Sequence, residues 1–564
     1  MHSKKTHQGL TLLAAGALIA AWLLPNHYPP WTSAYQEFSA FFAGLIVTLI
    51  MLLSRPTKIT PAALGFLVLA CIPLLQYWMG LIFFPGDAWI IFIFIFGFSL
   101  MLMAGYNLAS QQASRQQLAQ ILATVLVIGA FLSLWVALRQ WLQLPADSSW
   151  TIDSRPGGRP FGNLAQPNSL ATLLCLGLAG VLYLYERYLL GRLTAGLLAI
   201  LLIFGVGLTQ SRTPWVAAVA VLIFWSWKTR VATLRFSAPA LLGWICCYAL
   251  VLLALPSISD SLLLATSDPL SRAGSLQRLN MWGQLWLAIQ QGPFWGYGWG
   301  QVSVAQMSVA AAYPATHLTT LYSHNALLDI LLWNGPWLGS VIILCLAAWL
   351  LRIGFSARSP ETLFALVAAG FVLVHSMLEY PLAYAFFLLP LGLLLGLAAS
   401  EHTPSREFHM PRWVLGVGWL LATGLFVWFW KEYRVIEEYY RVTRLQEARI
   451  TGVKAGRIPE VILLTEPREY IRFVHTPVNE ELSDLRLEWM RKVTYRRPGA
   501  FSLFRYALAL GVNGHPIEAH KQLKIIRAQY GEKTYNHALA EIRRQEVKYP
   551  QLSTLRKRAS DSAL

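Results

Sequence analysis

Charge is scarce in this sequence. Asp, Glu, Lys and Arg make up 13% of its 564 residues, against roughly 25% in a soluble globular protein. A chain this poor in charge, 56% hydrophobic and built from apolar runs of roughly 20 residues, places those runs in a bilayer. Cysteine is scarce too. Cys71, Cys175, Cys246, Cys247 and Cys345 all lie inside apolar runs, which argues against a disulfide framework or a thiolate zinc site. No P-loop, dinucleotide fingerprint or HExxH motif is present. Asp147, Asp153, Asp260 and Asp268 are scattered rather than clustered. No metal and no cofactor are expected.

The apolar runs fall near 10–25, 36–53, 62–79, 88–109, 118–138, 168–187, 193–210, 214–228, 237–256, 336–351, 361–378, 383–400 and 412–430. They predict an all-α polytopic membrane protein with about thirteen spans. The first run follows a basic start, as in a signal peptide, but no small-residue cleavage site follows it. It reads as a membrane helix held on the cytoplasmic side by Lys4 and Lys5. An odd number of spans puts the termini on opposite sides.

Basic residues test that topology. With the N-terminus inside, the cytoplasmic connections carry Arg55 and Lys58, Arg115, Arg187 and Arg192, Lys228, Arg230 and Arg235, Arg352 and Arg358, and Arg406 and Arg412. The opposite loops Pro25–Ala34, Phe84–Asp87 and Glu379–Ala383 carry no Lys or Arg, the asymmetry of the positive-inside rule. Part of the net charge of +17 is thereby explained without a nucleic-acid partner.

Three segments then lie outside: Leu144–Asn168, Ser257–Ser323 and everything after Trp430. The expected organisation is a transmembrane domain at 1–430, including a periplasmic loop at 257–323, and a periplasmic helical domain at 431–564. Within the latter, Phe501–Tyr530 reads as two helices split by a Gly-containing turn, with Ala507, Leu508, Ala519, Leu523 and Ala528 at packing positions. This is either a tetratricopeptide-type hairpin or a generic helical cap, and one hairpin does not decide between them.

Arginines outside run against the charge bias: Arg155, Arg159, Arg212, Arg272 and Arg278. Arg212 stands in the tight turn TQSRTP between two spans, where an unpartnered charge is costly. Guanidinium groups grip phosphate oxygens in a bidentate fork, so such a group suits a lipid-linked pyrophosphate. The alternative for any one of them is snorkelling to headgroups. His324, in LYSHNALLDILLWNG, stands at the start of an apolar helix that Ser323 or Asn325 can cap; its imidazole can accept a proton from a hydroxyl nucleophile. In DSRPGGRPFGNLAQPNSLAT, the amides of Asn163, Gln166 and Asn168 stand beside Arg155 and Arg159. Arg278, Trp282 and Trp286 share one helical face, and Trp295 and Trp299 follow in GPFWGYGWGQ. These aromatic rings suit either sugar stacking or an interfacial belt.

RPFGNLAQPNSLATLL (Arg159–Leu174), the SRTP turn, RLNMWGQLWLAI with GPFWGYGWGQ, SHNALLDILLWNGPWLG and HSMLEYPLAYAFFLLPLG (His375–Gly392) resemble bacterial protein O-oligosaccharyltransferases of the PglL type. These belong to the O-antigen ligase and polymerase superfamily, WaaL and Wzy. The resemblance implies a GT-C-like fold and transfer of a glycan from undecaprenyl pyrophosphate to Ser or Thr of an exported acceptor protein, typically a type IV pilin. It places the essential loop histidine on His324, pyrophosphate-binding arginines on Arg212 and Arg278 with Arg159 as a further candidate, and polar substrate contacts on Gln166 and Tyr380. Many relatives carry His where this chain has Ser169. An O-antigen ligase, a polymerase and a lipid-glycan transporter are the rival readings. The charges stand in loops and at span ends rather than in mid-membrane, which disfavours transport.

Overall fold

The computed structural model describes residues 2–54, 57–145, 150–264, 277–401, 408–447, 450 and 458–561. Arg55, Asp147, Asp268, Arg272 and Arg406, and the side chain of Lys4, lie outside the described residues.

Helices cover all thirteen expected spans. Nine are long and apolar enough to cross a bilayer among the described residues. The other four are shorter: Arg192–Leu208, Thr213–Lys228, Pro360–Ser376 and Ala385–Ala399. Local sequence starts several of them. Ser237 and Ser359 cap Ala238–Ser261 and Pro360–Ser376 through the amides of Ala240 and Thr362, and proline opens both helices. The final span helix runs Arg412–Glu447, beyond the expected end at 430.

The chain divides into two compact units. The first comprises Met1–Ala70, Ile93–Ala273 and Leu346–Trp430; the second comprises Cys71–Phe92, Gly274–Cys345 and Lys431–Leu564. The first unit ends at Trp430, and two earlier segments group with the C-terminal part in the second.

In the first unit, Ala385–Ala399 is apolar and buried nearly all round, as the central helix of a bundle must be. It meets Pro85–Leu108 backbone to backbone. A Cβ at Gly105 would stand 2.2 Å from the Leu393 carbonyl, and one at Gly396 would stand 2.2 Å from that of Leu102. Lipid supplies no hydrophobic drive between helices, so small residues that permit close packing hold such crossings. At one end of the bundle, Thr57–Ile59 pairs antiparallel with Phe408–Met410, and Asn107 bonds Lys58 on both backbone groups. Nearby connections satisfy their own charges: Arg115 on Ser400, Lys228 on the carbonyls of Phe355 and Ala357, and Arg187 on Glu361. These connections share one side, as alternating spans require.

In the second unit, Asp87 is held by both nitrogens of the Arg496 fork, at 2.8 and 3.2 Å. Glu432 accepts from the amides of Ile462, Leu463 and Leu464. The expected hairpin is present as Ala500–Val512 and Pro516–Gln545, with Ala507, Ala519 and Leu523 fully buried. The helix Ala326–Ser356 breaks at Gly335, where φ is 74°. A Cβ there would meet the Phe294 carbonyl at 2.0 Å, so both the dihedral and the close approach demand glycine. Pro336 opens the second half, the position proline favours, and the expected span at 336–351 begins there.

Candidate active site

Described residues of three connections of the first unit meet at the other end of its bundle: 150–166, 209–213 and 377–384. The first takes its shape from Gln140 in the last turn of Gln112–Trp141. Its Oε1 accepts from the amides of Phe161 and Gly162 at 2.9 and 2.8 Å, and its Nε2 donates to the carbonyls of Ile152 and Gly162. Asn163, 1% exposed, completes the clamp. Its Nδ2 donates to the carbonyls of Leu23 and Trp150, and its Oδ1 accepts from Ile152 N. The backbone carbonyl of Asn163 meets His27 Nε2 at 2.8 Å. Burial lowers the His27 pKa, opposed by hydrogen bonds to the Asn163 and Thr32 backbones. The amide of Asn163 is thus committed to holding the loop. Gln166 caps the helix Pro167–Glu186, its Oε1 accepting from both the amide and the hydroxyl of Ser169 at 2.7 Å.

Asn168 joins the three connections. Its Oδ1 accepts from Arg159 Nη2 at 3.2 Å and from Ser211 Oγ at 2.7 Å, while its Nδ2 donates to Glu379 Oε1 at 3.0 Å. Arg159 also donates through Nε to the Thr209 carbonyl at 2.6 Å. Its position is therefore fixed from both sides. Arg212, the next residue after Ser211, has an exposed side chain, and no described residue hydrogen-bonds or ion-pairs with its guanidinium. It stands just before the helix Thr213–Lys228. Tyr380 is half-buried. Burial, and then the Glu379 carboxylate, push its phenol above the ordinary range.

The second unit carries the remaining candidates. His324 adopts φ +59°, and Asn325 rather than Ser323 caps the helix after it, accepting from the amides of Leu327 and Leu328. Ser323 N donates to Asp329 Oδ1 at 2.8 Å, and the Asp329 carboxylate interacts electrostatically with His324. Trp282 Nε1 donates to the Ser323 carbonyl at 2.7 Å. Trp282 therefore holds the backbone immediately before the histidine. Arg278 lies one turn earlier on the same helix, Gln277–Gln291. Trp299 is buried against Trp333, ring centroids 4.6 Å apart, and donates to Asn334, so its ring is not offered to a sugar.

Two acidic residues, Glu379 and Asp329, join the sites without having been singled out as candidates. Each is a carboxylate in a markedly apolar stretch, and that is the signal that marks them. Chemically, the first unit presents the exposed guanidinium of Arg212 and that of Arg159, fixed by Asn168; guanidinium groups are suited to oxyanions. The second unit presents an imidazole at a helix start with a carboxylate nearby, an arrangement that receives a proton.

The fold is that of a polytopic membrane protein, and its connections carry the exposed guanidinium of Arg212 and the imidazole of His324. Residues 160–185 match the family described as a protein glycosylation ligase. Residues 197–343 match the O-antigen ligase family, and 363–545 match the C-terminal part of a virulence factor membrane-bound polymerase. The general O-oligosaccharyltransferase of Acinetobacter baylyi is 30% identical over 524 residues, 91% of each chain. The ComP-specific O-oligosaccharyltransferase of the same organism is 27% identical over 496 residues, 86% of this chain and 89% of its own. The chain belongs to the PglL-type O-oligosaccharyltransferases, membrane glycosyltransferases of the O-antigen ligase superfamily.

Proposed function

We propose that this protein transfers a preassembled oligosaccharide en bloc from undecaprenyl pyrophosphate to a Ser or Thr hydroxyl of an exported acceptor protein such as a type IV pilin. The Asn168 network, which fixes Arg159 next to the turn bearing the exposed Arg212, carries this reading together with the relatives' activity. Arg212, Arg159 and Arg278 bind the pyrophosphate and stabilise its charge as it leaves. Tyr380 and Gln166 orient the donor, and Trp282 keeps the histidine loop in place. His324 takes the proton from the acceptor hydroxyl as that oxygen bonds to the anomeric carbon. The bond from that carbon to the phosphate oxygen breaks, and undecaprenyl pyrophosphate departs. Attack opposite the leaving group inverts the anomeric centre. Guanidinium groups fill the role a metal ion plays in other transferases. The reaction belongs on the periplasmic face of a Gram-negative inner membrane, with the N-terminus cytoplasmic.

The matches to the ligase and polymerase families favour a second reading, in which the acceptor is lipid A core or a growing O-antigen. Expressing the chain with a lipid-linked glycan pathway and a candidate pilin separates the two. A pilin heavier by one whole glycan in intact-protein mass spectrometry supports protein transfer. Unmodified pilin with altered lipopolysaccharide overturns it.

A further inference from the structure

The helix Gln277–Gln291 buries Met281, Gln284, Leu285 and Ala288. On the opposite stripe, two turns apart, Leu279 and Trp286 are exposed, and the turn after the helix adds exposed Phe294 and Trp295. Four large apolar side chains here lack protein cover, although the rest of the motif is tightly built. The turn is bonded to the helix Ala326–Ser356: Tyr297 N to the Leu332 carbonyl at 2.9 Å and Gly298 N to that of Trp333 at 3.1 Å. The Phe294 backbone sits against Gly335 at the break in that helix. Just beyond the break, Trp337, Val341 and Leu344 are also exposed, on a helix long and apolar enough to span a bilayer. The uncovered patch is thus continuous with a lipid-facing surface. Exposed aromatic and aliphatic side chains at such a junction fit the headgroup boundary, where tryptophan rings are favoured.

We infer that Leu279, Trp286, Phe294 and Trp295 insert into the membrane interface and anchor the helix Gln277–Gln291 to the bilayer. The anchor bears on the histidine loop, because Trp282 of the same helix bonds the Ser323 carbonyl. It fixes the depth at which His324 and Arg278 stand relative to the headgroups of a lipid-linked substrate. The patch itself contains no charged residue, so insertion needs no anionic lipid. The inference is independent of the transfer reaction, since it concerns membrane depth alone.

The test is depth measurement by spin label on the full chain in nanodiscs of phosphatidylcholine. The native cysteines are replaced, and Trp286→Cys, Trp295→Cys or Leu279→Cys is labelled with a nitroxide. Trp337→Cys serves as the lipid reference and Val547→Cys, at a position 90% exposed in the second unit, as the water reference. The expected result is a ratio of oxygen to nickel-chelate accessibility several-fold above that at 547 and approaching that at 337. Ratios equal to that at 547 at all three positions overturn the inference and leave the patch to a sugar or an acceptor protein. Using three positions guards against a single label that disturbs packing.

Discussion

Asn168 Nδ2 donates to Glu379 Oε1 at 3.0 Å, joining two residues 211 positions apart. Because Asn168 also holds Arg159 and Ser211, Glu379 controls the orientation of the amide that positions the arginine. A hydrogen bond to a charged group contributes about 1.5–3 kcal/mol, equivalent to roughly 10–100-fold in rate. Glu379→Ala, which removes the acceptor, should therefore lower transfer by one to two orders of magnitude at unchanged membrane level. Glu379→Asp should recover part of it. Glycosylated acceptor per unit of enzyme reads both.

Arg212 is exposed and has no hydrogen-bond or ion-pair partner among the described residues, so their fold does not depend on it. Arg212→Ala should leave yield and thermal stability within about 0.5 kcal/mol of wild type, as surface changes do. It should lower the rate by roughly 10²–10³ if its contact forms chiefly in the transition state. Arg212→Lys keeps the charge but loses the fork, and should fall between the two. A loss of folded protein in Arg212→Ala would instead make the residue structural.

Trp282→Phe preserves ring packing and removes the Nε1 bond to the Ser323 carbonyl. A typical hydrogen bond contributes about 0.5–1.5 kcal/mol, so activity should fall up to roughly tenfold while the protein stays folded. Steady-state assays against acceptor concentration would show the loss in kcat, because the histidine loop shifts rather than the acceptor site.

Much of this architecture is local and therefore legible. Thirteen apolar runs and the bias of Lys and Arg need no long-range information, and every run became a helix. The Arg212 turn and His324 were legible by position, one as a charge at a span end and one as an imidazole at a helix start. What lies in pairing over long separations was not. Asp87 and Arg496 are 409 positions apart, and no periodicity connects them. Asn163 looked like a ligand-binding amide because its type permits that, whereas the carbonyls of Leu23 and Trp150 and the amide of Ile152 commit it to the loop. Trp295 and Trp299 are four positions apart in one glycine-rich motif, yet one is exposed and one buried. Trp299 is stacked on Trp333 and bonded to Asn334 and Gln76, contacts that no local pattern encodes.

The Asp87–Arg496 pair is a stability determinant of the second unit. Removing one partner of a buried ion pair costs about 3–5 kcal/mol because the other charge is left uncompensated. Asp87→Asn should lower the melting temperature of the purified protein. Replacing both residues by apolar ones of similar size should restore most of it.

Glu466 gives the second unit an acid limit. Burial alone would raise its pKa, but Arg497 and Arg496 outweigh burial and hold the carboxyl below its ordinary value. A folded-state pKa below the unfolded one stabilises fully above the unfolded value, about 4.3. That stability is lost as pH falls through the folded value. Melting temperature should therefore drop as pH is taken below about 4.3, and Glu466→Gln should start lower and show a shallower acid dependence.

The central claim is a glycan transferred to protein with His324 as the proton acceptor. Membranes containing wild type or His324→Ala, matched for enzyme level, are given lipid-linked glycan and an acceptor pilin, and the acceptor is weighed intact. The account predicts a shift of one whole glycan with wild type and none with His324→Ala. A full shift with the variant would contradict it.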